Sequence, residues 1–295
     1  MKLLGEYDNG NYTVVIFDDG TKVRFNNNST FEPEKPESID IKITNRCDMG
    51  CPMCHEDSKP DGKHADIVNI PFLDTLLPYT ELAIGGGNPM EHPQLWYFLD
   101  EFKSKNLIAN MTVHQKHFLG YDQAIQFLVE RKLIHGLGVS ITKVDDELLE
   151  QLIKYPNAVV HVINGVIAMD ELRKLYDYNL KILILGYKDF RRGVSAHSAL
   201  TDSRMNEMYS ELPEMLGRFK TVSFDNLAIK QLNAKRLMSE EEWNEFYMGD
   251  DGQFTMYIDL VKREFAKSST STERFKLTDD IKTMFDMVKG VMAIG

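Results

Sequence analysis

With 295 residues, of which 43% are hydrophobic and 27% charged, the chain can bury one large core or two smaller ones without disulfides. Its net charge of −11 does not fit a surface that tracks a phosphate backbone, so we do not expect nucleic acid as a partner. The first residues do not resemble a signal peptide, and no apolar run approaches the roughly 20 residues of a membrane helix. We therefore expect a cytoplasmic protein with no membrane partner.

Residues 1–35 predict a small β-hairpin followed by a linker. The alternating segments Tyr12–Phe17 and Thr21–Phe25 flank an Asp-Asp-Gly turn at 18–20. Aspartate–glycine between two such segments is a strong hairpin signal. Residues 26–37 are rich in asparagine and proline, which indicates a linker.

From residue 38 the pattern alternates between strands and helices. The predicted strands are 38–43, 81–84, 107–113, 137–141, 158–163 and 180–185. The predicted helices between the later strands are 92–105, 121–132, 145–155 and 169–178. Six strands separated by helical crossovers predict an α/β fold with a parallel sheet, whose active-site residues gather at the carboxyl ends of the strands.

The remainder of the chain is less regular and predicts an extension of mixed α and β structure. Its predicted helices are 205–219, 239–247 and 278–292, its predicted long strand is 221–232, and two strands surround a turn within 249–265. We expect this part to cover the core. The predicted domains are therefore a hairpin and linker (1–35), a core (36–195) and a C-terminal extension (196–295).

Three cysteines, Cys47, Cys51 and Cys54, follow the first core strand with the spacing C-x3-C-x2-C. Three cysteines on one loop do not form a disulfide framework. They can hold three irons of a [4Fe–4S] cluster and leave the fourth iron open to another ligand. The alternative is a zinc site completed by His55 or His64, although structural zinc sites usually use paired ligands separated by a longer loop.

The cysteine loop and the segment GGGNPMEHP at 85–93 together resemble the radical S-adenosylmethionine (radical SAM) superfamily, over roughly residues 38–190. That family combines this cysteine spacing with a glycine-rich motif, typically G-G-G-E-P, after the second strand. The resemblance implies a partial (β/α)6 TIM-like barrel, one [4Fe–4S] cluster and S-adenosylmethionine (SAM). It also implies an oxygen-sensitive enzyme that cleaves SAM to a 5′-deoxyadenosyl radical, which takes a hydrogen atom from the substrate.

The same resemblance assigns cluster ligation to the three cysteines and SAM binding to residues on the loop and at strand ends. These SAM-binding candidates are Met53, Gly85, Gly86, Gly87, Asn88, Ser140, Asn164, Tyr187 and Lys188. Met53 stands where the family usually has an aromatic residue, and Asn88 replaces the usual acidic residue. A catalytic residue that acts on the substrate is not assigned.

Other polar residues near the predicted carboxyl ends of the strands have two open interpretations. Each could face a ligand, or it could serve only as a cap or a surface charge. They are His55, Glu56, His114, Gln115, Arg191 and Arg192. Tyr187 likewise could lie beside adenine or in the core.

The substrate is not identified by the sequence, and we expect a small molecule or a peptide, with flavodoxin or ferredoxin as electron donor. Residues 254–270 are similar to the start of the extra domain of peptide-modifying radical SAM enzymes, but serines at 268, 269 and 271 do not replace the cysteines that hold auxiliary clusters there. The alternatives are a nucleotide-modifying enzyme of the deazapurine type and a non-catalytic metal-binding barrel. No fourth cysteine is present to return a hydrogen atom.

Overall fold

A small antiparallel sheet forms the N-terminal part of the computed structural model, which describes residues 2–28 and 30–291. Its strands are β1 (Leu3–Asn9), β2 (Tyr12–Phe17) and β3 (Lys22–Phe25), in that order across the sheet. The predicted hairpin is confirmed as β2 and β3. Strand β1 was not predicted, because the run LLGEYDN does not alternate cleanly between apolar and polar residues.

Six parallel strands make up the centre of a ten-stranded sheet and lie side by side in chain order. They are β4 (Ser38–Thr44), β5 (Glu81–Gly86), β6 (Ile108–His114), β7 (Gly136–Ser140), β8 (Ala158–Ile163) and β9 (Lys181–Leu185). The helices of this part are α1 (Leu95–Ser104), α2 (Gln115–Gly120), α3 (Asp122–Glu130), α4 (Asp146–Lys154) and α5 (Met169–Arg173). The predicted α/β fold with a large parallel sheet is confirmed.

Four strands from the last third of the chain extend this sheet at both edges. They are β10 (Thr221–Phe224), β11 (Thr255–Asp259), β12 (Glu264–Ala266) and β13 (Phe275–Lys276). Strand β10 pairs with β9 and β11 pairs with β4, both in parallel, and β12 and β13 continue beyond β11 in antiparallel pairs. The helices here are α6 (Arg192–Ala196), α7 (Ala199–Met215), α8 (Asn226–Leu232), α9 (Glu240–Phe246) and α10 (Ile281–Val288).

The prediction of one long strand over 221–232 is wrong. The strand ends at Phe224 because Asp225 caps α8, its carboxylate accepting hydrogen bonds from the Ala228 N–H at 2.7 Å and the Gly186 N–H at 2.9 Å. The helix predicted at 205–219 lies earlier in the chain, as α7. The helix predicted at 278–292 is observed as α10, and position 292 lies outside the described residues.

The two faces of the parallel sheet differ in chemistry. Residues such as Ile41 and Ile84 are buried in one continuous hydrophobic cluster with Phe98 and Phe102 of α1. The opposite face, which we call the inner face, alternates with these positions and carries polar side chains: Asp40, Lys42, Asn110, Thr112, Ser140 and His161. A cavity of about 560 Å³ lies against the amino-terminal half of this face, where the turn between β2 and β3 lines it.

Within residues 2–28 and 30–291, no helix combines the length and the apolar composition required to cross a bilayer.

Candidate active site

The cysteine loop begins after Thr44, at the carboxyl end of β4, and backbone hydrogen bonds fix it on two sides. The Cys47 N–H donates to the Lys59 carbonyl at 2.9 Å, which ties the loop to its own return segment. The Gly87 N–H donates to the Thr44 carbonyl at 2.8 Å, which ties it to the end of β5. The first cysteine is therefore held at the edge where the parallel strands end.

The three glycines at the carboxyl end of β5, Gly85 to Gly87, have two different roles. A Cβ atom on Gly87 would lie 2.0 Å from the Arg46 carbonyl oxygen, and one on Gly86 would lie 2.4 Å from the Thr44 carbonyl oxygen, at a φ of +109°. Only glycine allows the cysteine loop to pass this closely. A Cβ on Gly85, by contrast, would meet no atom within 4 Å. Gly85 therefore borders open space into which a ligand can approach the backbone.

The three thiols are free and half-buried. Burial raises the pKa of Cys47 and of Cys51, so any metal that these thiols bind as thiolates would have to displace their protons. Among the described residues, the three sulfurs do not form a group within 4.8 Å of one another. Thiolates on one zinc ion lie only about 3.8 Å apart, given a Zn–S distance of about 2.3 Å. The three sulfurs are therefore not gathered around a position for one zinc ion.

The two histidines that the zinc alternative requires are both engaged elsewhere. The Nδ1 atom of His64 lies 2.9 Å from the Thr44 hydroxyl. The Nε2 atom of His55 lies 3.4 Å from the Lys188 ammonium. Burial, assisted by the Lys188 charge, lowers the pKa of His55 to about 3, so His55 is neutral and can accept from that ammonium.

A different set of groups does meet within the reach of a single ion. One ligand atom from each of Cys47, Asp48 and His117 lies within 4.8 Å of the others, and the His117 Nε2 atom lies 2.7 Å from an Asp48 carboxylate oxygen. His117 belongs to α2, which the sequence analysis missed. Asp48 and His117 are 69 positions apart in the chain, so local spacing could not predict this pairing.

Glu56 is the centre of a buried polar network behind the cysteine loop. Its carboxylate accepts from the Lys42 ammonium at 2.7 Å and from the Tyr257 hydroxyl at 3.0 Å. Burial works against the charged form of Glu56, but the Lys42 charge and these two hydrogen bonds outweigh it and lower its pKa. The network joins the cysteine loop to β4 and β11.

The basic residues after β9 contact the same loop. The Lys188 ammonium donates to the Ser269 hydroxyl at 3.0 Å while lying beside His55. Arg191 donates to the Glu56 carbonyl at 2.9 Å, and Arg192 donates to the Ser58 carbonyl at 2.7 Å. These cations hold the loop in place and bring positive charge beside it.

Two of the predicted SAM-binding side chains are occupied by contacts within the protein. The buried Asn88 accepts from the Met90 N–H at 3.1 Å and donates to Glu91 at 3.2 Å, so it caps the turn after the glycines. The buried Tyr187 donates its hydroxyl to the Gly193 carbonyl at 2.8 Å. The half-buried Met53 lies on the cysteine loop, and its carbonyl faces Gly193.

Ser140 and Asn164 lie at the ends of β7 and β8 with polar atoms available for a ligand. Ser140 is half-buried and pairs in register with His114 on one side and His161 on the other. The Asn164 amide donates to Gln231 at 3.1 Å, but its buried Oδ1 atom has no partner among the described residues. Such an acceptor is costly to bury unless a donor reaches it, so this position fits a ligand with an N–H or O–H group.

Gln231 is a residue of this region that the sequence analysis missed, because 221–232 was predicted as a strand. Its side chain accepts from the Tyr187 N–H at 2.9 Å and donates to the Tyr187 carbonyl at 2.9 Å, in addition to its bond with Asn164. Gln231 therefore holds the ends of β8 and β9 together.

His114 and Gln115, predicted to face either substrate or solvent, make local contacts. The His114 Nδ1 atom accepts from the Lys116 N–H at 3.2 Å and so caps α2. The Gln115 side chain accepts from the Thr142 N–H at 2.7 Å and fixes the segment after β7. Neither contact requires a ligand.

No family model and no curated protein matches the chain, but solved structures do. Streptococcus suis SuiB bound to precursor peptide SuiA superposes with a TM-score of 0.62 at 13% sequence identity, over 89% of this chain and 68% of that one. SuiB bound to S-adenosylmethionine superposes with a TM-score of 0.60 at 12% identity, over 88% and 68%. The resemblance to radical SAM enzymes is confirmed at the level of the fold. At this sequence identity the likeness to SuiB shows a shared fold alone, and it says nothing of the reaction.

Proposed function

We propose that the chain is a radical SAM enzyme with one [4Fe–4S] cluster on Cys47, Cys51 and Cys54. The observation that carries this proposal is the set of three half-buried thiols on a loop fastened to the carboxyl end of the parallel sheet, beside the open space at Gly85. When bound, the cluster and SAM supply a 5′-deoxyadenosyl radical that takes a hydrogen atom from the substrate. The protein places the groups and excludes competing reactions.

The residues around the loop have distinct parts in this proposal. Lys188 and Arg191 bring positive charge close to the loop, which favours the anionic form of a thiolate-ligated cluster. Gly85 leaves room for the methionyl part of SAM. The free acceptor of Asn164 and the hydroxyl of Ser140 serve the nucleoside part.

Three further SAM-binding candidates, Met53, Asn88 and Tyr187, have different parts in this proposal. Asn88 and Tyr187 are engaged within the protein, so we assign them to positioning the strand ends rather than to direct contact. The thioether of Met53 offers an adaptable apolar surface where the family usually has an aromatic ring.

We further propose that the six parallel strands curve into a partial barrel with the inner face as its lumen. The consecutive order of β4 to β9 and the polar character of the inner face support this. The boundaries 1–35, 36–195 and 196–295 then separate the hairpin, the barrel and the extension, with β10 and β11 of the extension added to the edges of the barrel.

We propose a peptide as the substrate. The fold matches that of SuiB, which was solved with its precursor peptide SuiA, and the inner-face cavity of about 560 Å³ has the size of a typical ligand site. A flavodoxin or ferredoxin is the proposed electron donor, because the cluster must be reduced before it can act.

Anaerobic reconstitution with iron and sulfide tests the proposal. We expect about four irons and four sulfides per chain, an electron paramagnetic resonance signal that changes when SAM is added, and 5′-deoxyadenosine after reduction. Cys51→Ala should abolish 5′-deoxyadenosine, whereas Ser210→Ala, on the exposed part of α7, should leave it unchanged. Binding of zinc in place of iron, with no 5′-deoxyadenosine from the wild-type protein, would exclude the proposed function.

A further inference from the structure

The inner-face cavity carries two positive charges that have no partner. Lys181 begins β9, and Lys220 immediately precedes β10, whose first residue pairs with Lys181. Both lysines line the cavity at its amino-terminal end. Neither ammonium group makes an ion pair or a hydrogen bond with any residue in the described ranges. Two neighbouring unpaired cations at a cavity wall attract an anion.

The carboxylates that line the same end of the cavity, those of Asp18, Asp19 and Glu81, do not neutralise these lysines. Glu81 pairs with Lys22 at 2.7 Å, and Asp18 accepts from the Lys2 N–H at 2.7 Å. Asp19 faces Lys181 beyond ion-pair distance and accepts from the backbone of residue 21 at 3.1 Å. Burial and the Lys220 charge lower the pKa of Lys181, and Asp19 only partly opposes them.

Deeper in the cavity, the imidazole of His161 is also available. A Cβ atom on Gly138 would lie 2.4 Å from the His161 ring and 2.6 Å from the Thr112 hydroxyl, so this glycine makes room for the ring to lie across β7. His161 makes no hydrogen bond with any described residue. Burial lowers its pKa to about 4, so the ring is neutral and offers one donor and one acceptor.

We propose that this cavity binds a ligand that carries a carboxylate, held by Lys181 and Lys220, with a neutral polar group of the ligand against His161. This assignment rests on the proposed function, under which the ligand is an acidic residue of the peptide substrate. A singly charged carboxylate suits the site better than a phosphate, because Asp18, Asp19 and Glu81 at the same end of the cavity repel a dianion.

The dimensions agree with a short peptide. From Lys181 to Leu185, the last residue of β9, the strand rises by about 13 Å at roughly 3.3 Å per residue. An extended peptide of about four residues covers the same distance. An acidic side chain at the lysines would therefore place a residue three or four positions away near the cysteine loop.

Direct binding to the whole cluster-free protein tests the site, under reducing conditions and with calorimetry. The probes are the peptide Ac-Gly-Glu-Gly-NH2 and its neutral isostere Ac-Gly-Gln-Gly-NH2. We expect the glutamate peptide to bind at least tenfold more tightly than the glutamine peptide. Lys181→Met and Lys220→Met should each reduce this preference at least threefold, and His161→Gln should weaken both peptides equally.

The matched control is Lys276→Met, which removes an exposed lysine of β13 and should keep the full preference. Lys220 is exposed, so its substitution leaves folding intact, and thermal melting confirms this for each variant. Equal binding of the two peptides, or no binding of either, would overturn the assignment. Inorganic phosphate that binds more tightly than the glutamate peptide, and is lost in the same lysine variants, would also overturn it in favour of a phosphate site.

This assay separates the assignment from the proposed function. Peptide binding is measured without a cluster, and 5′-deoxyadenosine formation is measured without a peptide. Production of 5′-deoxyadenosine with no preference for glutamate would remove only the cavity assignment. A glutamate preference without 5′-deoxyadenosine would keep the carboxylate site and remove the radical SAM reaction.

Discussion

Glu56 and Lys42 form a buried ion pair, with 2.7 Å between carboxylate oxygen and ammonium, that joins the cysteine loop to the first strand of the parallel sheet. The two side chains are only 7% and 3% exposed. Asp259 on β11 lies 3.5 Å from the same ammonium, and Tyr257 on that strand donates to Glu56. One loop is thus anchored by strands that lie about 200 residues apart in the chain.

Removing the charge of one member of this ion pair should destabilise the protein strongly. Glu56→Gln leaves the Lys42 ammonium buried with only the more distant Asp259, and removal of one partner of a buried pair typically costs about 3–5 kcal/mol. We expect about 3 kcal/mol by urea unfolding of the cluster-free protein. Reconstituted Glu56→Gln should also retain less iron than the wild type, because its cysteine loop is less firmly held.

The matched control is an exposed pair of similar geometry, Lys235 with Glu240 at 3.1 Å. Lys235→Met should change the free energy of unfolding by no more than about 0.5 kcal/mol, because solvent screens exposed pairs. The double variant Lys42→Met/Glu56→Gln should cost less than the sum of its single variants. If Glu56→Gln costs no more than Lys235→Met, the pair does not anchor the loop.

The glycines at the carboxyl end of β5 provide a second prediction, because substitutions at Gly85 and Gly87 should impair the protein for different reasons. Gly85→Ala adds a methyl group to open space, so we expect unchanged thermal stability but weaker SAM binding by the reconstituted protein, at least tenfold. Gly87→Ala forces a methyl group to within 2.0 Å of the Arg46 carbonyl, so we expect a lower melting temperature and loss of iron. Equal behaviour of the two variants in both assays would contradict this division of roles.

Local patterns were sufficient to predict the parts of this fold that depend on neighbours in sequence. The alternation in β4 and β8, the helical spacing in α1 and the cysteine and glycine motifs are all short-range features. They placed the parallel sheet and the loop at the correct strand end. The glycines were predicted to border a cofactor, but their second role, close packing under the loop at Gly86 and Gly87, appears only in three dimensions.

What the sequence could not supply is the pairing of distant segments. Asp225 looked like part of a strand because its role as a cap depends on contacts with Gly186 and Ala228. Gln231 became significant only once α8 brought it to the ends of β8 and β9. Lys181 and Lys220 likewise meet only through the register of β9 and β10.

The group formed by Cys47, Asp48 and His117 leads to a third prediction, which concerns zinc binding in place of the iron–sulfur cluster. Sulfur, carboxylate and imidazole ligands within 4.8 Å suit zinc, with water as a fourth ligand. Protein purified in air should therefore bind about one zinc per chain. His117→Gln should weaken zinc binding at least tenfold in a competition assay with a chromogenic chelator, while anaerobic iron loading stays close to that of the wild type.

His64→Gln serves as the comparison for this metal assay, since His64 is bonded to Thr44 and does not belong to the group. It should leave zinc affinity unchanged. Loss of zinc binding in His64→Gln but not in His117→Gln would instead support a zinc site built from the cysteines and His64.

His161 should make the stability of the protein depend on pH in mildly acidic solution. Its folded pKa of about 4 lies below the ordinary value, so the unfolded chain binds the proton more readily and stability falls as the pH drops from about 6.5 to 4. The full shift corresponds to about 3 kcal/mol, but the ring is only half-buried, so His161→Gln should remove roughly 2 kcal/mol of the acid-induced loss between pH 7 and 4 in urea unfolding. His197, whose pKa is raised by hydrogen bonds to Asp202 and Asp189, has the opposite sign. Its contribution is present at low pH and lost as the pH rises, so His197→Gln should weaken the protein at pH 5 but not at pH 8. Parallel profiles for the wild type and His161→Gln would mean that His161 is freely solvated, in which case it does not present a neutral ring to the cavity.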